Sequence, residues 1–132
     1  MSAGSPAIVN SEESVSKEIT IFTDGGSRGN PGPGGAGFVL TDPTGRRLTG
    51  RGIYLGQTTN NIAEYTGIRE ALKSAARLGA ESIRLFSDSE LLVRQLNGQY
   101  KVKSPNLKGL YAECMQLLSG FKSWQVAHVY RE

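Results

Sequence analysis

Between Ile19 and Gly37 the sequence reads ITIFTDGGSRGNPGPGGAG, and this stretch limits the possible folds more than any other. Ile19, Thr20, Ile21, Phe22 and Thr23 are β-branched or aromatic, the composition of a short buried strand. The run ends on a carboxylate, Asp24. Glycines 25, 26, 29, 32, 34, 35 and 37 follow, with prolines at 31 and 33. Folding alone gives little reason for a charge at the tip of a buried strand beside backbone stripped of side chains. Glycine lets a partner approach the main chain, and strand ends of this kind are where open α/β sheets place ligands.

Further elements follow in order. Gly35 to Leu40 predicts a second strand. Thr41-Asp42-Pro43-Thr44-Gly45 predicts a turn, and Arg46 to Leu55 a third strand, making an antiparallel meander. Thr58, Thr59, Asn60 and Asn61 form a polar cluster before IAEYTGIREALKSAARLG. There Ile68, Ala71, Leu72, Ala75 and Leu78 keep helical spacing, Thr59 or Asn60 serves as cap, Glu64 falls in or near the first turn, and Gly79 stops the helix. Ile83 to Ser87 predicts a fourth strand, which again ends on a carboxylate, Asp88. A short helix containing Leu91, Leu92 and Leu96 follows, and Gly98 closes it. Tyr100 to Pro105 is a basic connection. Asn106 to Ser119 predicts a third helix, with Leu107, Leu110, Tyr111, Cys114, Leu117 and Leu118 inward. Trp124 to Tyr130 alternates as a fifth strand. Residues 1–17, rich in Ser, Gly, Ala and Glu, predict a disordered tail, which leaves 18–132 as one domain.

A right-handed crossover makes the fourth strand parallel to the first. Their ends, Asp24 and Asp88, then meet at one sheet edge, where the first helix can add Glu64. Three converging carboxylates repel one another unless cations lie between them, and oxygen ligands suit hard divalent ions. Such a site favours phosphoryl transfer with two ions. Composition closes off other chemistries. One histidine, His128, does not make a His-rich zinc site, and one cysteine, Cys114, makes neither a thiolate site nor an internal disulfide. Each acidic residue also has a structural explanation: Asp88 as an N-cap, Glu64 as a helix-dipole partner. His128 reads as a packed structural histidine in mid-strand, and Cys114 as a small buried residue. Net charge is +3 with a pI near 9.2, compatible with a polyanionic partner. No apolar run reaches the length of a membrane span and no signal-peptide pattern is present, so a cytoplasmic location is expected; a monomer is expected as well.

TDGGSRGNPGPGGAG, TTNNIAEYTGIREAL and FSDSELLVRQLNG resemble, in order, the three signature blocks of type 1 ribonuclease H, in its compact bacterial and archaeal kind. The closing HVYRE resembles that family's fifth strand and the start of its last loop. The resemblance implies a ribonuclease H-like α/β fold: a mixed five-stranded sheet, three antiparallel strands then two parallel ones joined by helices, with helices on both faces. It implies an endonuclease that hydrolyses the RNA strand of RNA–DNA hybrids with two Mg²⁺ or Mn²⁺ ions held by Asp24, Glu64 and Asp88. It also implies RNA-side contacts from Gly25, Ser27 and Asn30, minor-groove contacts from Asn60 and Asn61, a DNA phosphate on Thr59, and Glu90 near the RNA. Lys101, Lys103 and Lys108 would follow phosphates, or form a solvated basic face. The family's fourth carboxylate lies beyond HVxRE at the head of a last helix. This sequence stops at Glu132, the nearest carboxylate to that role, and weakened hydrolysis is the resulting expectation. Tyr130 stands where relatives commonly carry Pro. The alternatives are a hybrid-binding module of the same fold without hydrolysis, or a related metal-dependent nuclease for another nucleic-acid structure.

Overall fold

The computed structural model describes residues 18–130. Eight elements follow one another: β1 (Glu18–Ser27), β2 (Gly32–Thr41), β3 (Arg47–Thr58), α1 (Asn60–Arg77), β4 (Ser82–Ser87), α2 (Glu90–Leu96), α3 (Pro105–Ser119) and β5 (Ser123–His128). The strands form one sheet in the order β3-β2-β1-β4-β5. β1–β2 and β2–β3 are antiparallel, while β1–β4 and β4–β5 are parallel, giving the expected mixed sheet. The tail expected at residues 1–17 and the carboxylate of Glu132 lie outside the described residues.

Strand alternation sets the core. Ile19, Ile21, Phe38, Leu40, Ile83, Leu85 and Val126 point to one face. They form one cluster with Tyr65, Ile68 and Leu72 of α1, Leu92 and Leu96 of α2, and Leu107 and Leu118 of α3. The opposite face carries Phe22, Val39 and Phe86. Phe22 remains 46% exposed there, with its ring stacked on Phe86 at a centroid distance of 5.4 Å. Helices on both faces are therefore not what the described residues show. β1, β2, β4 and β5 each bury residues on one face, β3 stays largely uncovered, and all three helices join the cluster on that face.

Two boundaries also differ from expectation. The glycine segment is not a long turn. Gly25 pairs with Ala36, Gly26 with Gly35 and Ser27 with Gly34, which extends the hairpin and leaves 28–31 as its tip. Backbone hydrogen bonds carry this pairing where side chains contribute almost nothing. Glycine's low strand preference hid it. Leu78 is 42% exposed, because α1 ends at Arg77 and the chain turns away through Gly79 at φ 85°. Tyr65 is fully buried in its place on the inner side of α1, its hydroxyl donating to Gln95 Oε1 at 2.6 Å.

At the β2–β3 turn, Asp42 Oδ1 accepts from Thr44 N at 2.9 Å, Thr44 Oγ1 at 2.6 Å and Arg46 N at 2.9 Å. The hydroxyl of Thr44 and these amide donors hold the Asp42 carboxyl below its usual range, against an opposing effect of burial.

Candidate active site

Parallel pairing of β1 with β4 ends at Thr23 opposite Ser87. The next residue on each strand is a carboxylate, so Asp24 and Asp88 emerge side by side from the two central strands. Glu64 arrives from α1. It lies past the first turn of that helix, which contains no acidic residue, so the dipole explanation does not place it. The cap is Thr59, whose Oγ1 accepts from Ile62 N at 3.3 Å. Capping of α2 falls likewise to Ser89, which accepts from Leu92 N at 3.3 Å, rather than to Asp88. One carboxylate oxygen from each of Asp24, Glu64 and Asp88 lies within 4.8 Å of the others.

This convergence depends on Gly25. A Cβ built there would stand 2.9 Å from Ala63 C and 3.0 Å from both Ala63 O and Glu64 N. The backbone of α1 therefore rests directly on β1, and this contact delivers Glu64 to the strand ends. Gly67 serves the next turn, where a Cβ would meet Ala36 Cβ at 3.1 Å. Glu64 is 9% exposed, and Ser87 Oγ donates to its Oε2 at 3.4 Å. Exposure grades outward from there, through half-buried Asp88 to exposed Asp24. Oxygen donors gathered this closely fit a hard divalent ion, with Asp24, Glu64 and Asp88 as the residues that would hold it.

The expected substrate residues divide into two groups. Ser27, Asn30 and Asn60 form a clamp. Ser27 N donates to Asn60 Oδ1 at 2.8 Å, Ser27 Oγ lies 3.2 Å from the same oxygen and donates to Gly29 O at 2.6 Å, and Asn60 N donates to Asn30 Oδ1 at 3.1 Å. The clamp ties the hairpin tip to the start of α1, beside Gly25 and Thr59. Asn61 is half-buried at the second position of that helix. Glu90 stands apart, exposed at the first position of α2, where its Oε2 accepts from Arg94 Nε at 2.9 Å. Lys101, Lys103 and Lys108 are all exposed. An open groove of ≈ 850 Å³ runs from Asp24 past Ser27 and Arg28 to Tyr54, which is 81% exposed.

Ser87, which no sequence motif marks as a site residue, is fully buried and bonded to Glu64. A lone serine closing an apolar strand just before a carboxylate was the available signal. His128, expected in mid-strand, is the last residue of β5, half-buried, with Nε2 3.2 Å from Asp88 O and its ring edge-on to Tyr130 at 4.4 Å.

The sheet order, with carboxylates at the ends of its two central parallel strands, defines the ribonuclease H-like class of α/β domains. Residues 22–132 match the family described as reverse transcriptase-like. The ribonuclease HI of Halobacterium salinarum is 39% identical over 86% of this chain. Among solved structures, the N-terminal RNase H domain of Rv2228c from Mycobacterium tuberculosis, fused to maltose-binding protein, superposes with a TM-score of 0.85 at 40% identity. The match covers 86% of this chain and 83% of that one. LC11-RNase H1 in complex with an RNA/DNA hybrid superposes with a TM-score of 0.81 at 41% identity, covering 86% of each chain. The chain belongs to the type 1 ribonuclease H family. It spans 57% of the Halobacterium protein and 29% of the full bifunctional protein Rv2228c.

Proposed function

We propose that this chain is an endonuclease that hydrolyses the RNA strand of RNA–DNA hybrids, with Mg²⁺ or Mn²⁺ held by Asp24, Glu64 and Asp88. The meeting of those three carboxylates within 4.8 Å on this family's fold carries the proposal. When bound, two such ions ease deprotonation of the attacking water and neutralise charge on the leaving oxygen. The chain's own part is to hold three anionic side chains close together and to present a hybrid to them.

Recognition falls to the clamp. Asn60 Oδ1 accepts from Ser27 N, which leaves Nδ2 for an acceptor on the substrate. Asn30 likewise commits Oδ1 to Asn60 N and keeps Nδ2. Outward donors beside bare glycine backbone suit a shallow minor groove carrying 2′-hydroxyls, the feature that separates RNA from DNA. Thr59 spends its lone pair on Ile62 N and keeps its hydroxyl hydrogen for a phosphate oxygen. Asn61 adjoins the same groove. Glu90 acts there only by releasing Arg94. Lys101, Lys103 and Lys108 supply phosphate contacts. The proposed enzyme is a cytoplasmic monomer; no helix among the described residues is long and apolar enough to cross a membrane.

The test is cleavage of an end-labelled hybrid with Mg²⁺ and with Mn²⁺, alongside double-stranded RNA and single-stranded RNA. The hybrid should be cut in its RNA strand, and Asp24→Asn should reduce cutting to background. Full activity in Asp24→Asn refutes the site, and preference for double-stranded RNA refutes the substrate.

A further inference from the structure

Tyr54 is 81% exposed on β3, an edge strand of the sheet, at the far end of the groove that begins at Asp24. Strand register fixes its place relative to the carboxylates. Asp24 pairs with Gly37, and Gly37 with Gly52. Two residues further along, Gly26 pairs with Gly35, and Gly35 with Tyr54. Directly paired residues share a face, as do residues two apart on a strand. These six positions therefore form one rectangle on the open face of the sheet, and only Asp24 and Tyr54, at opposite corners, carry side chains. Strand spacing and rise put those two corners roughly 12 Å apart.

Folding does not account for the bare floor between them. Gly26, Gly35, Gly37 and Gly52 are not among the glycines with positive φ. A Cβ on Gly26 would meet Asn60 Oδ1 at 3.4 Å, one on Gly37 would meet Arg51 O at 3.4 Å, and one on Gly52 would meet nothing within 4 Å. Of the four, only Gly35 lacks room, with Ile53 O at 2.7 Å. Beside Tyr54 the ladder slips: Gly35 pairs with Tyr54 but Gly34 with Gly56, which leaves Leu55 over and Gly56 at φ 68°. Bulges of this kind re-aim side chains next to active sites. Arg28, also exposed, lines the same groove.

Paired nucleotides cannot use this ring, because their bases stack on one another and turn only edges and phosphates outward. An unpaired base has a free face, and stacking on exposed aromatic side chains is how single strands are held. The strand that leaves the carboxylates along this floor is the RNA, since the cluster acts on that strand. We propose that the groove takes unpaired nucleotides of the RNA strand where it runs out of the hybrid, with a base stacked on Tyr54 and a phosphate beside Arg28. Tyr54 thereby sets a preference for hybrids that carry a single-stranded RNA flank. The inference rests on the hybrid nuclease activity proposed above.

The test compares a blunt hybrid with hybrids bearing a short unpaired extension on the RNA strand, at its 3′ or its 5′ end, or on the DNA strand. The full chain is assayed for kcat and KM with Mg²⁺, and for binding of the same labelled hybrids by fluorescence anisotropy without divalent ions. An RNA extension on at least one side should lower KM and Kd on the order of 10-fold relative to the blunt hybrid. Tyr54→Ala should erase that gain, and Tyr54→Phe, which keeps the ring, should retain it. Gly52→Leu, with room for its Cβ but its side chain standing on the floor, should erase it as well. Equal KM and Kd for blunt and extended hybrids overturn the inference, as does a gain that survives in Tyr54→Ala or one that a DNA extension matches. If the blunt hybrid is cut and extensions change nothing, only the role of Tyr54 falls. If no hybrid is cut or bound, the nuclease reading fails and this inference with it.

Discussion

Replacing Gly25 by alanine tests how the site is assembled without touching a carboxylate. The new Cβ would lie 2.9 Å from Ala63 C, about 0.5 Å inside the 3.4 Å at which ordinary van der Waals contact begins. The obstacle is helix backbone, so no rotamer change relieves it. Either α1 moves outward or β1 bends, and in both cases Glu64 leaves the Asp24–Asp88 pair by a comparable distance. Overpacking of this kind costs about 1–3 kcal/mol, which corresponds to a fall in Tm on the order of 5–10 °C for a domain of this size. Catalytic geometry is less forgiving than stability. A displacement near 1 Å is worth about 100-fold, so half of it should lower kcat by roughly tenfold. Thermal denaturation by circular dichroism and steady-state cleavage of a hybrid measure the two effects. An alanine variant with unchanged kcat would show that contact between β1 and α1 does not set the position of Glu64, and the account of the glycine segment would fail.

Other expectations concern stability and reactivity. Tyr65→Phe leaves buried Gln95 without its 2.6 Å partner and should destabilise the fold by about 1–3 kcal/mol in urea titration. Asp42 titrates below its ordinary value of 3.8 in the folded chain. Its contribution is therefore complete above that value and disappears as pH falls through the lower folded one. The Tm difference between the wild type and Asp42→Ala should accordingly narrow in acid, and a difference that widens would contradict the hydrogen-bond assignment. Burial pushes the Cys114 thiol up to about 12, so a disulfide reagent at neutral pH should label it only upon unfolding.

What could be read in advance was the part written in local pattern. Alternation in ITIF and IRLF, helical spacing from Ile68 to Ala75, and the carboxylates following two strands all depend on near neighbours in sequence. They yielded the antiparallel meander, the parallel pair and the meeting of Asp24, Glu64 and Asp88, while the place of the fifth strand came only from the family resemblance. The resemblance of three ordered blocks pointed to the same family.

Long-range packing decided the rest. Glycine gives no side-chain signal for pairing, so the hairpin's true length emerged only when Gly25, Gly26 and Ser27 found partners across it. Alternation tells that a strand has two faces but not whether both are covered, so the exposure of Phe22 had no counterpart in the sequence. Ser87 and His128 act on groups 23 and 40 residues away. Spacing along a chain carries no trace of such contacts, because they exist only after the sheet has brought β4 and β5 together and α1 has come to rest on Gly25.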